Sequence, residues 1–254
     1  MRLVALRAGL RRRLAATAWR CRDGLFPPRT ITTARSVSLS LQRDNAVTRM
    51  RAETFATKEP GTLDWLDRLS TDDVLFDIGA NVGIYSLYAA RRRVPVVAIE
   101  PEWSNLHYLR DNVLANGLRD AVRVVGLALS DATGLSALHL HDVTPGAALH
   151  TESKESLVLT ASGTRVMFEE IVWSVRLDDL CKHMAAWPTA IKLDVDGTEV
   201  TILRGAPEAL RRTRTILVER PGLQRDAEGP KLLREAGLVE RGSRDENTLW
   251  ERPE

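Results

Sequence analysis

The chain has 254 residues, 28% of them charged and 44% hydrophobic, with a formal net charge of +2 and two cysteines. That length supports one α/β domain with a sizeable core and excludes two large ones. Cys21 and Cys181 lie far apart and outside any CxxC spacing, which excludes a disulfide framework or a cysteine zinc site and fits a reducing compartment. The charge is uneven: before residue 52 twelve arginines face two acids, giving +10, and the rest of the chain holds 24 basic and 32 acidic groups, giving −8.

The basic end comes first. Leu3, Leu6, Leu10 and Leu14 recur at roughly helical spacing among Arg2, Arg7 and Arg11 to Arg13. This is the pattern of a basic amphipathic helix able to lie on an anionic membrane surface, and a nucleic-acid arm or a targeting peptide would use the same composition. Arg7 interrupts the apolar run, so the segment is a poor secretory signal. No apolar stretch approaches the length needed to span a bilayer. Residues 1–35 are therefore set apart as a leader ending beyond Pro27-Pro28, and 36–254 as one domain. Ser36 to Phe55 reads as short strand-like or irregular structure, and Thr62 to Leu69 as a short helix.

The first strong signal is Asp73 to Gly83. Val74-Leu75-Phe76 is a buried strand ending in Asp77, Gly79 to Gly83 is a tight turn, and Ile84, Leu87 and Tyr88 share a face of the helix that follows. Glycine there permits positive φ and lets a ligand approach the backbone, while the helix start offers unpaired N–H groups. Val94 to Ile99 is a second apolar run, ending in Glu100, 17 positions after Gly83. At that offset in a βαβ unit an acid can take both hydroxyls of a ribose. Ser104 is the expected N-cap of the next helix, which Asn116-Gly117 stops. Val122 to Leu127 is a third strand, after which Asp131 could serve an adenine amine or simply form a turn.

Residues 135–176 read as an antiparallel excursion, with strands at Leu135 to Leu140, Leu157 to Thr160 and Val166 to Leu177. His139, His141 and His150 fall there, but without ligand spacing they predict no metal site. Ala190 to Glu199 then repeats the strand, acid and glycine pattern. Asp194, Asp196 and Glu199 crowd one turn, where like charges are costly unless a cation, a proton or a substrate relieves them. They are candidates for general-base work, or else capping acids. Thr215 to Glu219 is a fifth strand, and a helix near Lys231 to Ala236 leads to closing strands at Leu238 to Arg241 and Thr248 to Glu251.

In order and spacing, Phe76 to Gly83, Ala98-Ile99-Glu100-Pro101, Ala128 to Asp131, Arg176 to Leu180, Ile191 to Glu199, Leu203 to Ala206 and Ile216 to Glu219 resemble the FkbM family of S-adenosylmethionine-dependent O-methyltransferases. Asp196 departs from the family's usual Glu but keeps the carboxylate. The resemblance implies a Rossmann-like α/β fold: a seven-stranded, mostly parallel sheet, helices on both faces and an antiparallel C-terminal strand. It implies S-adenosyl-L-methionine as cofactor, with the turn at Gly79, Asn81 and Gly83 cradling the methionine, Asp77 near its amine, Glu100 on the ribose and Asp131 near the adenine. A base from Asp194, Asp196 and Glu199 would free the acceptor hydroxyl of its proton.

The acceptor expected is a carbohydrate or glycolipid hydroxyl, one branch being similar to enzymes that methylate the fucose of bacterial lipo-chitin nodulation signals; a polyketide hydroxyl is the alternative. Trp103, Trp173 and Trp187 are candidates to stack on a sugar face at the site's mouth. Competing chemistries lack their marks: no G-x-G-x-x-G for a nicotinamide dehydrogenase, no Pro before Cys181, and no Asn-Pro-Pro-aromatic block after the fourth strand. Nucleic acid is not the expected partner. A membrane- or RNA-binding adaptor with a vestigial pocket is the non-enzymatic alternative, and the expected location is the cytoplasm, with peripheral contact at a membrane's inner face through the leader.

Overall fold

The computed structural model describes residues 29–148, 166–219 and 227–253. The proposed amphipathic leader up to residue 28, His150 and the expected strand at Leu157 to Thr160 lie outside them. The described chain opens on a hairpin, β1 (Arg29–Ala34) and β2 (Val37–Gln42), joined by Arg35-Ser36 with both φ values positive. That is the backbone a two-residue hairpin turn requires. The hairpin therefore begins inside the stretch set apart as leader, and the boundary drawn at residue 35 falls at its tip.

Helices α1 (Ala46–Thr54) and α2 (Pro60–Leu66) lead into the main sheet. Its parallel strands are β3 (Leu75–Ile78), β4 (Val96–Ile99), β5 (Val122–Val125), β9 (Ala190–Leu193) and β10 (Thr215–Glu219). The chain closes with β11 (Val239–Arg244) and β12 (Asn247–Glu251), and the sheet order is β11-β12-β10-β9-β3-β4-β5. Only β12 runs against its neighbours, so the expected seven-stranded, mostly parallel sheet with an antiparallel C-terminal strand is what forms. Every residue of β3, β4 and β9 is buried, as expected of parallel strands covered on both faces.

Alternation along each strand divides the core in two. Leu75, Val96, Ala98, Ala190 and Leu217 pack beneath α2, α3 (Ile84–Arg91), α4 (Trp103–Ala115) and the hairpin. Phe76, Ile78, Val97, Ile99, Ile191, Leu193, Ile216 and Val218 face α5 (Leu177–Met184), α6 (Glu199–Arg204), α7 (Pro207–Arg212) and α8 (Glu228–Glu235). A small second sheet, β6 (Ala128–Leu129), β8 (Phe168–Val175) and β7 (Gly134–Leu140), realises the expected excursion, with β7 and β8 antiparallel.

Asn112 of α4 and Asn116, the residue that caps its C-terminus, dock the hairpin. Asn116 exchanges two bonds with the Ser40 backbone, at 2.9 and 2.8 Å, and Asn112 accepts from Gln42 N at 3.0 Å while donating to Val82 O at 2.9 Å. No helix among the described residues is long and apolar enough to cross a membrane.

Candidate functional site

A cavity opens at the carboxyl ends of β4, β3, β9 and β10, where an open α/β sheet places its ligands. The alternation that builds the core also aims the acids. Residues 77, 100, 192, 194 and 219 continue the parity of Leu75, Ala98, Ala190 and Leu217, so Asp77, Glu100, Lys192, Asp194 and Glu219 belong to one face, under α3.

Glu100 is the acid of the β4 side. It is 5% exposed and lines the cavity, and its two oxygens accept Asn81 N–H at 2.8 Å and Glu102 N–H at 3.0 Å. Burial pushes its carboxyl up to about 7 despite those two bonds, with the charges of Glu102 and Asp196 adding to the rise. A carboxylate has about four acceptor positions, so one on each oxygen remains for a pair of vicinal hydroxyls. Asn81, at φ 52°, is locked by donating to Ala147 O at 2.7 Å and accepting from Val82 N at 2.9 Å. Ile99, Leu127, Ala128, Leu129 and Leu138 supply an apolar slot beyond it.

The glycines of the turn serve packing. At Gly79, φ 80°, a Cβ would stand 1.8 Å from Asp194 O, so only glycine lets the β3 turn cross the end of β9. At Gly83, φ 86°, it would meet the Leu109 side chain at 2.3 Å. Gly79 lines the cavity and Gly83 lies behind it, against α4.

Under the turn lies a buried ion cluster. Lys192 is 2% exposed and its ammonium donates to Asp194 at 2.6 Å, with the Tyr85 ring 5.2 Å away. Burial opposes its charge, but the carboxylates of Asp194, Asp77 and Glu59 outweigh burial and raise its pKa. Burial likewise works to raise Asp194; the Lys192 ammonium, by charge and hydrogen bond, holds that carboxyl below its ordinary value. Asp77, 1% exposed, is raised, because burial exceeds the help of Lys192 and of the Ser86 hydroxyl donating at 2.5 Å; its Oδ1 has no hydrogen-bond partner among the described residues.

The remaining acids divide by position. Asp196, at φ 56°, lines the cavity. Glu199 is fully buried behind the wall, where its Oε1 accepts from Gly197 N at 3.2 Å and Val195 N at 3.4 Å; it is the acid of the first turn of α6, which starts after Thr198 without a side-chain cap. Burial pushes it up to about 7 against those bonds. Glu219, which the sequence did not single out as a site residue, ends β10 beside Asp194 and lines the cavity. Burial and the charges of Asp194, Asp196 and Glu199 push it up to about 9, with Lys192 opposing.

Several expected site residues stand elsewhere. Asp131 is exposed on the turn between β6 and β7, outside the cavity wall, because Gly205 packs against the Ser130-Asp131 backbone and holds that turn on the α6 side. Asp77 is beneath the wall rather than on it. None of the three tryptophans lines the cavity: Trp103 is 69% exposed and stacks on His107, Trp173 is 54% exposed on β8, and Trp187 is covered by Arg212. The cavity's rings are Phe55 and Tyr85. The expected cap Ser104 gives way to Glu102, whose carboxylate accepts Ser104 N at 2.9 Å and Asn105 N at 2.6 Å. Among the described residues no three His, Cys, Asp or Glu converge as metal ligands.

The family model of the methyltransferase FkbM domain matches residues 77–237. Among solved structures, similarity extends to a Streptococcus mutans chain assigned to the S-adenosylmethionine-dependent methyltransferases (7% identity, 89% of this chain and 56% of that one, TM-score 0.50). It extends also to P. horikoshii TYW2 in complex with MeSAdo (8%, 88% and 69%, 0.44) and to precorrin-6y C5,15-methyltransferase from Geobacter metallireducens GS-15 (16%, 75% and 84%, 0.40). At these identities the likeness is one of fold. No curated protein matches the sequence.

Proposed function

Because the chain belongs to the FkbM methyltransferase family, with S-adenosylmethionine as its methyl donor, we propose that it methylates a hydroxyl, and that the acceptor is a carbohydrate or glycolipid. Bound, the cofactor supplies a sulfonium-activated methyl group. The protein's residues have three tasks: to hold the donor, to hold the acceptor oxygen in line with the methyl carbon, and to remove the acceptor's proton. Glu100, with one acceptor position left on each oxygen, is suited to the ribose hydroxyls; Gly79 and Asn81 shape the floor under the methionine; Leu127 to Leu129 form a slot suited to the adenine. Asp77 lies below the wall and reaches the methionine amine only through the field of the buried cluster.

The observation that carries the acceptor reading is the β9–β10 half of the cavity. Asp194, Asp196 and Glu219 line it, in one cavity with Arg51, Lys58, Glu59, Phe55 and Tyr85. Such a surface offers acceptors and donors to several hydroxyls at once and two rings to a sugar's apolar side. The test is labelled-methyl transfer from S-adenosylmethionine into glycan, lipid and small-molecule extracts, with Asp194→Asn and Asp196→Asn as controls. Label in glycan or glycolipid, reduced in at least one variant, is expected. Label only in protein or RNA would overturn the acceptor class.

A further inference from the structure

We propose that Glu219, at the end of β10, is the carboxylate that receives the acceptor's proton, and that the positive charge of the arriving cofactor is what ionises it. This rests on the acceptor atom being a hydroxyl. Strand order supplies the first argument. From the apolar slot near β5 the cavity passes Glu100 on β4, the glycine turn on β3, Asp194 on β9 and then Glu219 on β10, so Glu219 lies on the side of Asp194 away from the ribose acid.

The commitments of two rival carboxylates supply the second argument. Asp194 is tied to the Lys192 ammonium, which lowers its basicity, and Glu199 is behind the wall with an oxygen committed to two backbone N–H groups. The Glu219 carboxyl is held by no hydrogen bond among the described residues and faces the cavity.

The third argument is charge. Asp194 and Asp196 from the end of β9 and Glu199 from α6 repel a negative Glu219, Lys192 attracts it, and Arg51, Lys58 and Glu59 line the same cavity from the α1 side. A carboxyl so placed keeps its proton in the empty protein, with an affinity near 9. S-adenosylmethionine adds a sulfonium and an ammonium against one carboxylate, and a nearby positive charge favours the ionised form. In the transfer, an acceptor oxygen lone pair forms the O–CH3 bond, the S–CH3 electron pair returns to sulfur as a neutral thioether, and the O–H proton passes to Glu219. Loss of the sulfonium charge then favours the protonated carboxyl, so the product state retains the proton until the cavity empties.

The test needs no acceptor. Calorimetry of S-adenosylmethionine binding at pH 8, in buffers of different ionisation enthalpy, counts protons released. At that pH a group near 9 is about nine-tenths protonated, and Glu100 and Glu199, near 7, only about one-tenth. Release of close to one proton is expected, less with S-adenosylhomocysteine, which lacks the sulfonium, and falling through a midpoint near pH 9. Glu219→Gln should release almost none and, lacking the linked ionisation, bind S-adenosylmethionine about tenfold more weakly than wild type at pH 8, with the gap closing toward pH 6, and Glu219→Asp should keep most of the release. Equal release in Glu219→Gln, affinity in it equal to wild type at pH 8, or no release by the wild-type protein would each overturn the proposal. Where Glu219→Gln does not fold, Glu219→Asp keeps the test, since its release should persist with a shifted midpoint. A non-hydroxyl acceptor would appear instead in the labelled-methyl assay, so the two failures are distinguishable.

Discussion

Replacing Lys192 by Met should be among the most damaging single changes to the fold, although it removes a cation from a cavity. Lys192 is one of the largest fully buried side chains and stands between Asp194, at 2.6 Å, and Asp77, its register partner on β3. Met matches its length and apolar volume, so the loss is of charge. Breaking a buried pair by removing one partner costs about 3 to 5 kcal/mol, because the other charge is left uncompensated. Here two carboxylates are left, one of them 1% exposed, against a total stability of about 5 to 15 kcal/mol for an ordinary domain. Asp77 is already raised and Asp194 loses what lowers it, so in the variant both bind protons more readily folded than unfolded. Stability so conditioned is full at low pH and lost as pH rises through the folded values. Urea denaturation should therefore show Lys192→Met closer to wild type at pH 5 than at pH 8. In a double-mutant cycle, adding Asp194→Asn should recover about 2 kcal/mol of the loss at pH 8. Additive losses within about 0.5 kcal/mol, or a deficit independent of pH, would refute the reading of the cluster as a mutually compensating set.

Glu100→Gln should weaken S-adenosylmethionine binding about 10- to 100-fold, the range expected for hydrogen bonds to a charged group, since Gln keeps one acceptor oxygen for a backbone N–H but puts an NH2 against the other. Because Glu100 must be ionised to accept both hydroxyls and titrates near 7, the wild-type advantage in calorimetric affinity should be full at pH 8 and shrink toward pH 6. Asp131→Asn should leave that affinity within about twofold of wild type, as a surface change usually stays within about 0.5 kcal/mol; a tenfold loss would bring Asp131 back to the adenine.

The strand-end acids were legible because each closes a short apolar run, a pattern that buried parallel strands impose on sequence. The parity rule that gathers Asp77, Glu100 and Asp194 on one face also reaches Glu219, and the strand Thr215 to Glu219 was read with its observed bounds. What hid Glu219 was register: that β10 lies beside β9 and brings its end abreast of Asp194 follows from pairing, which one strand's composition does not carry. Lys192 was hidden differently. A lysine in an apolar run reads as part of the strand, and its meaning comes from carboxylates on two neighbouring segments. The hairpin escaped because Arg35-Ser36 is not a residue pair that advertises a turn with positive φ at both centres. Asp131 and the tryptophans were misplaced because distance along the chain from a strand end says little about which way a loop turns.

The cavity wall comes from two parts of the chain. Glu100, the turn, Asp194 and Glu219 fall inside the span 77–237 that matches the family, whereas Arg51, Thr54, Phe55, Lys58 and Glu59 precede it. The earlier part is fastened to the later: Asn112 and Asn116 hold the hairpin, the Arg51 guanidinium donates to Gly146 O, and Asn45 donates to Pro145 O at 3.1 Å. It is also coupled by charge, since Lys58 and Arg51 help to lower Asp194, and Glu59 helps to raise Lys192 and Tyr85. A substitution at Lys58 would thus alter the proton affinity of a strand-end acid on another segment without touching the cofactor half. The ionisation of the acceptor side is therefore shared with a segment docked upon the sheet's edge, and because cofactor binding is linked to the charge of Glu219, a change in that segment reaches donor affinity through charge rather than through contact.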